Sequence, residues 1–254
     1  MNATENVRLE ERDEVVILHL TGPKGHCLHA GMIAELRAHL AHLQDSPAVV
    51  ITGSEGFFST GLHLGEVATL NRLGLAEHLL AVEALFREAW SFPRPLIAAV
   101  NGHAVAGGLV LALCADLRLV ADDDEFRLGV TELAHGIPFP PLVLQICKAR
   151  IPEPWTSRWI LGAEMFSPKA ACQAGLFSDC LPRTDLLEVA CQQAKRLAAF
   201  PPEAWQTNKA SLQAAVLEQA DKEYQAGALD AWQELWWRPE SQQRLQAAQA
   251  KYGE

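Results

Sequence analysis

Short apolar runs closed by turn residues recur through the first half of the chain. Residues 15–20 have the sequence VVILHL, a β-branched run that is followed by a cluster of Thr, Gly and Pro. Residues 49–52 and 96–100 are also compact and apolar, and Gly, Ser or Asn follows each of them. Runs of this kind between turn residues predict buried strands. Residues 117–121 and 126–128 predict two further short strands.

Other segments repeat their apolar residues at every third or fourth position, which is typical of an amphipathic helix. Residues 32–43 and 75–90 follow this pattern, and a Pro-rich turn follows the second segment. Residues 107–114 are small and apolar throughout, so they predict a buried helix.

The chain changes character after about residue 152, where helical patterns dominate. Ala-rich helical segments cover residues 168–174 and 186–199, and helical patterns continue toward the C-terminus. Strands and helices in repeated order, followed by an all-helical tail, predict an α/β (α+β) core with a C-terminal helical region. We place the boundary at a Pro pair, which divides the chain into residues 1–200 and 201–254.

Charge and composition exclude several classes of protein. The 254-residue chain has 21 Lys and Arg residues against 31 Asp and Glu residues, and no segment concentrates the basic ones. We therefore expect no nucleic-acid partner and no polybasic contact with a membrane. The longest apolar stretch, residues 95–113, is interrupted by Asn, Gly and His, so we expect no membrane span. A polar N-terminus and six cysteines without a CxxC pair favour a cytoplasmic protein with reduced thiols and no metal site.

Two glycine-bearing loops, residues 56–64 and 101–108, each lie between a predicted strand and a helix. Such loops present backbone N–H groups at the start of a helix, and one N–H from each loop can polarise a single carbonyl oxygen. A glycine in a strand-to-helix turn is structural more often than functional, so each loop alone is weak support. The chain lacks GxxxxGK[ST], HExxH and GxSxG, which disfavours P-loop, zinc-protease and serine-hydrolase chemistry.

Several short motifs follow one another in the order found in one known family. They are Leu20, Pro23, Lys24 and Leu28, then FSTGLHL at 58–64, PLIAAVNGHAVAGG at 95–108, ADLRL at 115–119, Glu132 with GIP at 136–138, and AACQAGLFS at 170–178. Along nearly its whole length the sequence resembles the crotonase (enoyl-CoA hydratase/isomerase) superfamily. It departs from that family at Gly22, where the family has Arg, and at His26, where the family has Asn.

The resemblance implies a fold, an assembly and a substrate class. The fold would be a crotonase-like spiral of ββα turns, with a C-terminal helical region that packs around a trimer or a dimer of trimers. The substrate would be a coenzyme A thioester of fatty-acid metabolism, so coenzyme A enters as part of the substrate and no separate cofactor is expected. By position, the backbone N–H groups of Leu62 and Gly107 would form the oxyanion hole. The substrate-binding residues would be Lys24, Cys27, Leu28, Ser59, Thr60, Gly61, Leu62, His63, Gly108, Pro138 and Phe139.

The type of reaction depends on two positions. Hydratases of the family carry two glutamates, and here the first position is Val110 while the second is Glu132. A single carboxylate can move a proton from C2 to C4 of a 3-enoyl thioester, but it cannot easily position a water as well. The stretch FRLGVTE at 126–132 also resembles the single-glutamate 3,2-enoyl-CoA isomerases. We expect an isomerase in which Glu132, desolvated among Leu128, Leu133 and Ile137, is the base. Hydratase, another crotonase reaction, and non-catalytic acyl-CoA binding stay open as alternatives.

Five further polar residues have both a structural and a functional interpretation. His63 stands where the family has Asp, and we expect it to cap the following helix rather than to act on substrate. Glu66 is either a solvated carboxylate at a helix start or a second acid in the pocket. Lys209 is either a candidate for the CoA phosphates, in its own or a neighbouring subunit, or a solvent-facing side chain. His103 is expected to be structural, and His135 is a minor candidate for substrate contact.

Overall fold

The computed structural model describes residues 5–23 and 25–252, and its strands form two sheets. The larger sheet has six strands, of which the first two are antiparallel and the others parallel. In their order across this sheet they are β1 (Val7–Arg12), β2 (Val15–Leu20), β3 (Val49–Thr52), β5 (Leu96–Val100), β7 (Leu117–Ala121) and β9 (Asp179–Leu181). The smaller sheet has three parallel strands in the order β4 (Phe57–Ser59), β6 (His103–Val105) and β8 (Leu128–Gly129).

The helices fall into a group within the spiral and a group that follows it. The first group is α1 (Ala30–His42), α2 (Leu64–Val67), α3 (Arg72–Trp90), α4 (Gly107–Cys114), α5 (Pro141–Arg150), α6 (Pro168–Gln173) and α7 (Arg183–Ala198). The second group is α8 (Pro202–Gln225), α9 (Ala228–Trp236) and α10 (Pro239–Tyr252). A 3-10 turn at Glu132–His135 precedes α5, and a π-helical turn at Ser157–Leu161 follows it.

The chain repeats one unit, in which a strand of the larger sheet is followed by a strand of the smaller sheet and then by helix. β3 leads to β4, α2 and α3, then β5 leads to β6 and α4, and β7 leads to β8 and α5. The strands of successive units pair in parallel in both sheets, so each unit stacks on the one before it. This arrangement confirms the predicted α/β (α+β) spiral of ββα turns with a helical C-terminal region.

Both faces of the larger sheet are covered, as the continuous apolar strands predict. Val16 and Leu18 of β2 point into the main core, which lies between the sheet and the helices of the spiral. The alternate residues Val15 and Ile17 point to the other face and pack in a second cluster with the buried residues of α7, which are Leu186, Ala190, Cys191 and Ala194.

Four of the five predicted strands are confirmed, at residues 15–20, 49–52, 96–100 and 117–121. The fifth was placed wrongly, because its strand is Leu128–Gly129 and starts only where it can pair with β6. β1, β4, β6 and β9 were not predicted. β4 and β6 lie inside the two glycine-bearing loops, where three residues are too few to show an apolar pattern.

The predicted helices at 32–43, 75–90 and 107–114 are confirmed as α1, α3 and α4. α7 and α8 are separated at the predicted Pro pair, but α8 packs on α5 and contributes Ala220 to the main core. The division into residues 1–200 and 201–254 stays a prediction. Within residues 5–23 and 25–252, no helix is long and apolar enough to cross a membrane.

Candidate active site

The three principal site residues predicted from sequence lie at one edge of the smaller sheet. Leu62 follows β4, Gly107 follows β6, and Glu132 follows β8, and these three parallel strands are neighbours in that order. The carboxyl ends of parallel strands meet at the same edge of a sheet, so the fold brings these residues together. The backbone of Ala106 is tied to β8 by a 2.7 Å hydrogen bond from its N–H to the carbonyl of Gly129.

The two glycine-bearing loops are in direct contact, and glycine makes the contact possible. Gly61 has a φ of +80°, and a Cβ at this position would lie 2.7 Å from the backbone nitrogen of Gly107. A Cβ on Gly108 would lie 2.0 Å from the carbonyl oxygen of Ser59. The backbones of Leu62 and Gly107 are therefore fixed close to each other. Because Gly107 is the first residue of α4, its N–H has no acceptor one turn earlier in the helix.

Glu132 begins the 3-10 turn that follows β8, and part of its carboxyl group is shielded from solvent. Its Oε2 is buried and has no hydrogen-bond partner among the described residues. Desolvation by burial raises the pKa of Glu132 from 4.5 to about 7. Of the three apolar residues expected around it, Leu128 and Ile137 are buried, whereas Leu133 is 37% exposed. A carboxyl group with this pKa can both accept and return a proton near neutral pH.

Val110 lies on α4, one turn after Gly107, and is fully buried. Its backbone N–H donates to the carbonyl of Ala106, which fixes it at the start of the helix. Position 110, where hydratases of the family carry their first glutamate, is thus an apolar part of the core. The candidate site thus contains the partly buried carboxyl group of Glu132 and the backbones of Leu62 and Gly107.

The segments proposed to hold coenzyme A run beside each other. Thr60 N–H donates to the carbonyl of Gly25 at 2.9 Å, and Leu28 N–H donates to the carbonyl of Gly61 at 2.7 Å. The hydroxyl of Ser59 donates to the carbonyl of His26 at 2.8 Å and is fully buried. Cys27, Leu28, Ser59 and Gly108 are all buried, so these four predicted residues form the support of the site. Lys24 lies outside the described residues.

A cavity of about 600 Å³ opens next to these segments. It is lined by Asn6, Thr21, Gly22, Pro23, His29, His63 and Glu66. His63 caps α2, because its Nδ1 accepts from the N–H of Glu66 at 2.9 Å. The carboxylate of Glu66 in turn accepts from the N–H of Ala30 at 3.1 Å, at the start of α1. Both side chains have a structural role at this cavity, and Glu66 is a helix-start carboxylate as the structural interpretation predicts.

The remaining candidates contact other parts of the chain. The carbonyl of Pro138 accepts from Trp232 Nε1 at 2.6 Å, and Phe139 packs against the main core. His103 Nδ1 accepts from the N–H of Arg127 at 3.0 Å. Desolvation lowers the pKa of His135, which lies near Arg244.

The interpretation of Lys209 as a solvent-facing side chain was wrong. Its Nζ lies 2.7 Å from Asp116 Oδ2, and only 7% of the Lys209 side chain is exposed. The same Asp116 oxygen accepts from the N–H of Leu96, which begins β5. Lys209 therefore neither faces solvent nor has a free charge for a phosphate within this chain, and instead it holds α8 against the spiral core.

Comparison with known proteins identifies the family of the chain. The sequence profile of the family described as enoyl-CoA hydratase/isomerase matches residues 10–252. The chain belongs to the enoyl-CoA hydratase/isomerase family. The 2,3-dehydroadipyl-CoA hydratase of Escherichia coli (strain K12) is 31% identical over 209 residues, which are 80% of this chain and 80% of the relative. Mitochondrial enoyl-CoA delta isomerase 1 of Mus musculus is 27% identical over 216 residues, which are 84% of this chain and 75% of the relative.

The fold of this family member is also found in solved structures. The crystal structure of human mitochondrial delta3-delta2-enoyl-CoA isomerase superposes with a TM-score of 0.92 at 24% identity, over 97% of this chain and 98% of the human one. The resemblance to the crotonase superfamily is confirmed, and the protein is an acyl-CoA enzyme of the hydratase/isomerase class.

The two departures from the family motif have structural explanations. His26 has a φ of +47°, a conformation that Asn and His adopt more readily than most residues. Its Nε2 lies 2.9 Å from the hydroxyl of Ser54, and its Nδ1 lies 3.2 Å from the carbonyl of Gly22. At Gly22, a Cβ would lie 2.6 Å from Cε of Met32. Met32 thus occupies the space beside Gly22, and His26 ties its own loop to the turn between β3 and β4.

Proposed function

We propose that this protein is a 3,2-enoyl-CoA isomerase that uses Glu132 as its single acid–base residue. One observation carries the proposal: Glu132, whose Oε2 is buried, follows the strand next to those that precede Leu62 and Gly107, and position 110 on α4 is a buried Val. This set of groups matches a reaction that needs one base and an oxyanion hole. A second carboxylate, which would hold a water, is absent from position 110.

The proposed mechanism has two proton transfers. The thioester oxygen accepts hydrogen bonds from the N–H groups of Leu62 and Gly107, which lowers the pKa of the C2 proton. Glu132 removes that proton, and the electron pair moves into the thioester to give a dienolate. Glu132 then returns the proton to C4, so the double bond moves from C3–C4 to C2–C3. A single oxyanion-hole donor is worth about 3 kcal/mol, so two amides contribute a large part of the catalysis.

The relatives do not separate isomerase from hydratase, because one named as each kind is similar over most of the chain. The local chemistry favours the isomerase. Burial brings the pKa of Glu132 to about 7, which suits a group that must accept and return the same proton. Glu66, the other carboxylate considered as a second acid, is held by the N–H of Ala30 at the cavity.

Deuterium exchange tests the proposal directly. A 3-enoyl-CoA is incubated in D₂O and followed by NMR, with a 2-enoyl-CoA as the comparison substrate. We expect conversion to the 2-enoyl ester, and a loss of roughly 10²- to 10⁴-fold in kcat for Glu132→Gln with CoA-ester binding retained. Glu88→Gln is the matched control, because Glu88 is on the surface of α3 in an ion pair with Arg37.

Three outcomes would contradict the proposal. Retention of most activity in Glu132→Gln would show that another group is the base. Hydration of the 2-enoyl ester would support the hydratase alternative and require a second acid in the site. Binding of both esters without exchange or turnover would support a non-catalytic acyl-CoA-binding protein.

Self-association is part of the proposal. Large apolar side chains are exposed on the single chain, among them Leu161, Phe200 and Leu212, with 70%, 50% and 84% of their surface accessible. Exposed apolar groups of this size favour burial between subunits. We expect a trimer or a dimer of trimers, and sedimentation equilibrium would distinguish these states from a monomer.

A further inference from the structure

The turn that carries Glu132 is short and lies partly at the surface. It is a 3-10 turn of four residues, and the two residues that follow Glu132 in it are exposed. Hydrogen bonds in a 3-10 turn have poorer geometry than those in an α-helix. The N–H of Ile137 donates to the carbonyl of Glu132 at 3.1 Å. The backbone position of Glu132 therefore depends on the segment that follows the turn.

Two buried side chains of the C-terminal helices bind that following segment. Ser241 Oγ, on α10, donates to the carbonyl of Gly136 at 2.9 Å, and Trp232 Nε1, on α9, donates to the carbonyl of Pro138 at 2.6 Å. Gly136 has a φ of +72°, and a Cβ at this position would lie 3.1 Å from Ser241 Oγ. A carbonyl that loses its donor in a buried setting is unfavourable, so these two bonds fix the path of the chain after Glu132.

A third hydrogen bond reaches the turn itself. Arg244 Nη1, one turn after Ser241 on α10, donates to the carbonyl of Ala134 at 3.2 Å. Together with the carbonyls of Gly136 and Pro138, this makes three alternate carbonyls that accept from α9 and α10. The C-terminal helices thus hold the segment from within the 3-10 turn to the start of the next loop.

An apolar cluster supports the same segment. Ile137 is buried and packs with Trp232 and Trp236 of α9 and with Leu245 of α10. The cluster also contains buried side chains of α2 and α3, which are Val67, Leu75 and Leu79. Because α2 begins two residues after Leu62, the cluster joins the segment of the proposed base to that of the proposed oxyanion hole.

We infer that Ser241 and Trp232 are positioning residues that hold the carboxyl group of Glu132 beside the oxyanion hole. The C-terminal helices thereby take part in the active site of their own chain, although neither side chain is proposed to touch the substrate. This role rests on the proposed function, because it concerns the residue that is proposed as the base. Without the two bonds, the turn moves away from the strand ends and solvent reaches the carboxyl group.

Removal of each donor tests this role through the rate of reaction. Ser241→Ala removes the hydroxyl, and Trp232→Phe removes the indole N–H but keeps an aromatic ring beside Trp236. We expect each change to lower kcat for a 3-enoyl-CoA about tenfold and the double variant to lower it about 10²-fold, since a misplacement of about 1 Å has an effect of this size. KM, and the Kd of octanoyl-CoA measured by calorimetry, should stay within about twofold.

Ser211→Ala is the matched control. Ser211 Oγ also donates to a backbone carbonyl, that of Thr207 at 3.0 Å, but this bond lies on an exposed part of α8. The control therefore removes the same kind of hydrogen bond at a place that does not contact the Glu132 turn. It should leave kcat and KM unchanged.

Titration of the Glu132 carboxyl group provides a readout that does not depend on turnover. Burial raises the pKa of Glu132 to about 7, so a turn that admits solvent should lower this pKa toward its ordinary value of 4.5. The pKa is measured by ¹³C NMR of protein with labelled glutamate, and Glu132→Gln assigns the signal. In the double variant we expect the midpoint to fall by at least about one pH unit, with no change in Ser211→Ala.

The outcomes separate this role from the isomerase proposal. An unchanged titration midpoint in a folded double variant would overturn the positioning role, whatever the rate. A kcat of Ser241→Ala within about twofold of that of Ser211→Ala would overturn the role of the hydroxyl. Where the double variant does not fold, the two single variants decide by the same titration. A lowered midpoint in a protein that converts no 3-enoyl-CoA would overturn the proposed reaction and leave the positioning role standing.

Discussion

Replacement of Gly61 by alanine tests whether the amides of Leu62 and Gly107 bind the thioester oxygen. A Cβ at position 61 would lie 2.7 Å from the nitrogen of Gly107, a separation that non-bonded carbon and nitrogen atoms do not tolerate. The Cβ of Ala106 and the carbonyl of Val105 would each be 3.0 Å away. The loop of Leu62 must therefore move away from the start of α4. Because these groups belong to a packed core, the movement changes the oxyanion hole and cannot be absorbed at the surface.

The expected magnitude follows from the geometry of the donors. Loss of one oxyanion-hole donor costs roughly 10²- to 10³-fold in kcat, and a misplacement of about 1 Å has a comparable effect. We therefore expect Gly61→Ala to lower kcat/KM for a 3-enoyl-CoA by at least about 10²-fold. The assay is the initial rate of formation of the 2-enoyl ester, measured together with thermal unfolding of each variant.

Gly175→Ala is the matched control for backbone strain. Gly175 has a φ of +77°, similar to that of Gly61, but a Cβ on Gly175 would have no described atom within 4 Å. Alanine at either position has an unfavourable left-handed conformation, at a cost of about 1–2 kcal/mol. For a chain of this size the control should lower Tm by roughly 2–8 °C and leave kcat/KM unchanged. If Gly61→Ala retains activity within about threefold of Gly175→Ala, the contact between the loops does not determine the oxyanion hole.

Three further predictions concern the buried charges. Burial raises the pKa of Glu132 to about 7, and only the ionised form can act as the base. Isomerase activity should therefore rise about tenfold per pH unit below pH 7 and level off above it. A flat rate from pH 5 to 8 would contradict this. Burial raises the pKa of Glu83 from 4.5 to about 7, so between these pH values the folded protein binds a proton that the unfolded chain has lost. The free energy of unfolding should therefore fall by up to about 3 kcal/mol as the pH rises through that interval. Glu83→Leu should flatten this dependence in denaturant titrations. Lys209→Met should cost about 3–5 kcal/mol, because it leaves Asp116 buried without its cation, and calorimetry should show a lower Tm with KM for the CoA ester unchanged.

The sequence predicts those elements whose stability comes from their own apolar pattern. β3 and β5 were placed at the correct residues because they are buried on both faces and are therefore apolar at every position. The candidate residues Leu62, Gly107 and Glu132 were proposed from the sequence because each lies within a recognisable motif, and the structure places each of them after a strand of the smaller sheet. What the motifs do not contain is the order of the strands, and this order is what places the three residues together.

Elements that depend on a partner were missed. β4 and β6 have three residues each and exist because they pair with each other in parallel. β1 alternates charged residues with Val7 and Leu9, and it is a strand only because it pairs with β2 at the edge of the larger sheet. A period-two pattern of Val and Leu was present, but the surrounding charges resemble those of a polar terminus.

Buried charges were the other failure, and its cause is physical. Lys209 occurs in a helix with mostly polar neighbours, so nothing local distinguishes it from a solvated lysine. Its burial depends on Asp116, which is 93 residues earlier in the chain. Glu83 gave a clearer signal, since it interrupts the apolar face formed by Leu79, Val82 and Phe86. An acid on the buried side of an amphipathic helix is costly, and that cost is itself a reason to look for a function.

The two buried acids have different relations to the polar groups of the fold. Glu132 lies at the end of β8, where the strand order brings it to the amides that would stabilise a negative charge on the thioester. Glu83 lies among apolar side chains of α3, and the hydroxyl of Tyr224 is a polar neighbour of its carboxyl group. Both have a pKa near 7 for the same reason, desolvation, so the pKa alone does not distinguish catalysis from recognition. The neighbouring groups do: backbone amides at the strand ends favour proton transfer beside an oxyanion, whereas a phenol and apolar side chains beside Glu83 favour a protonated carboxyl group that is part of the core.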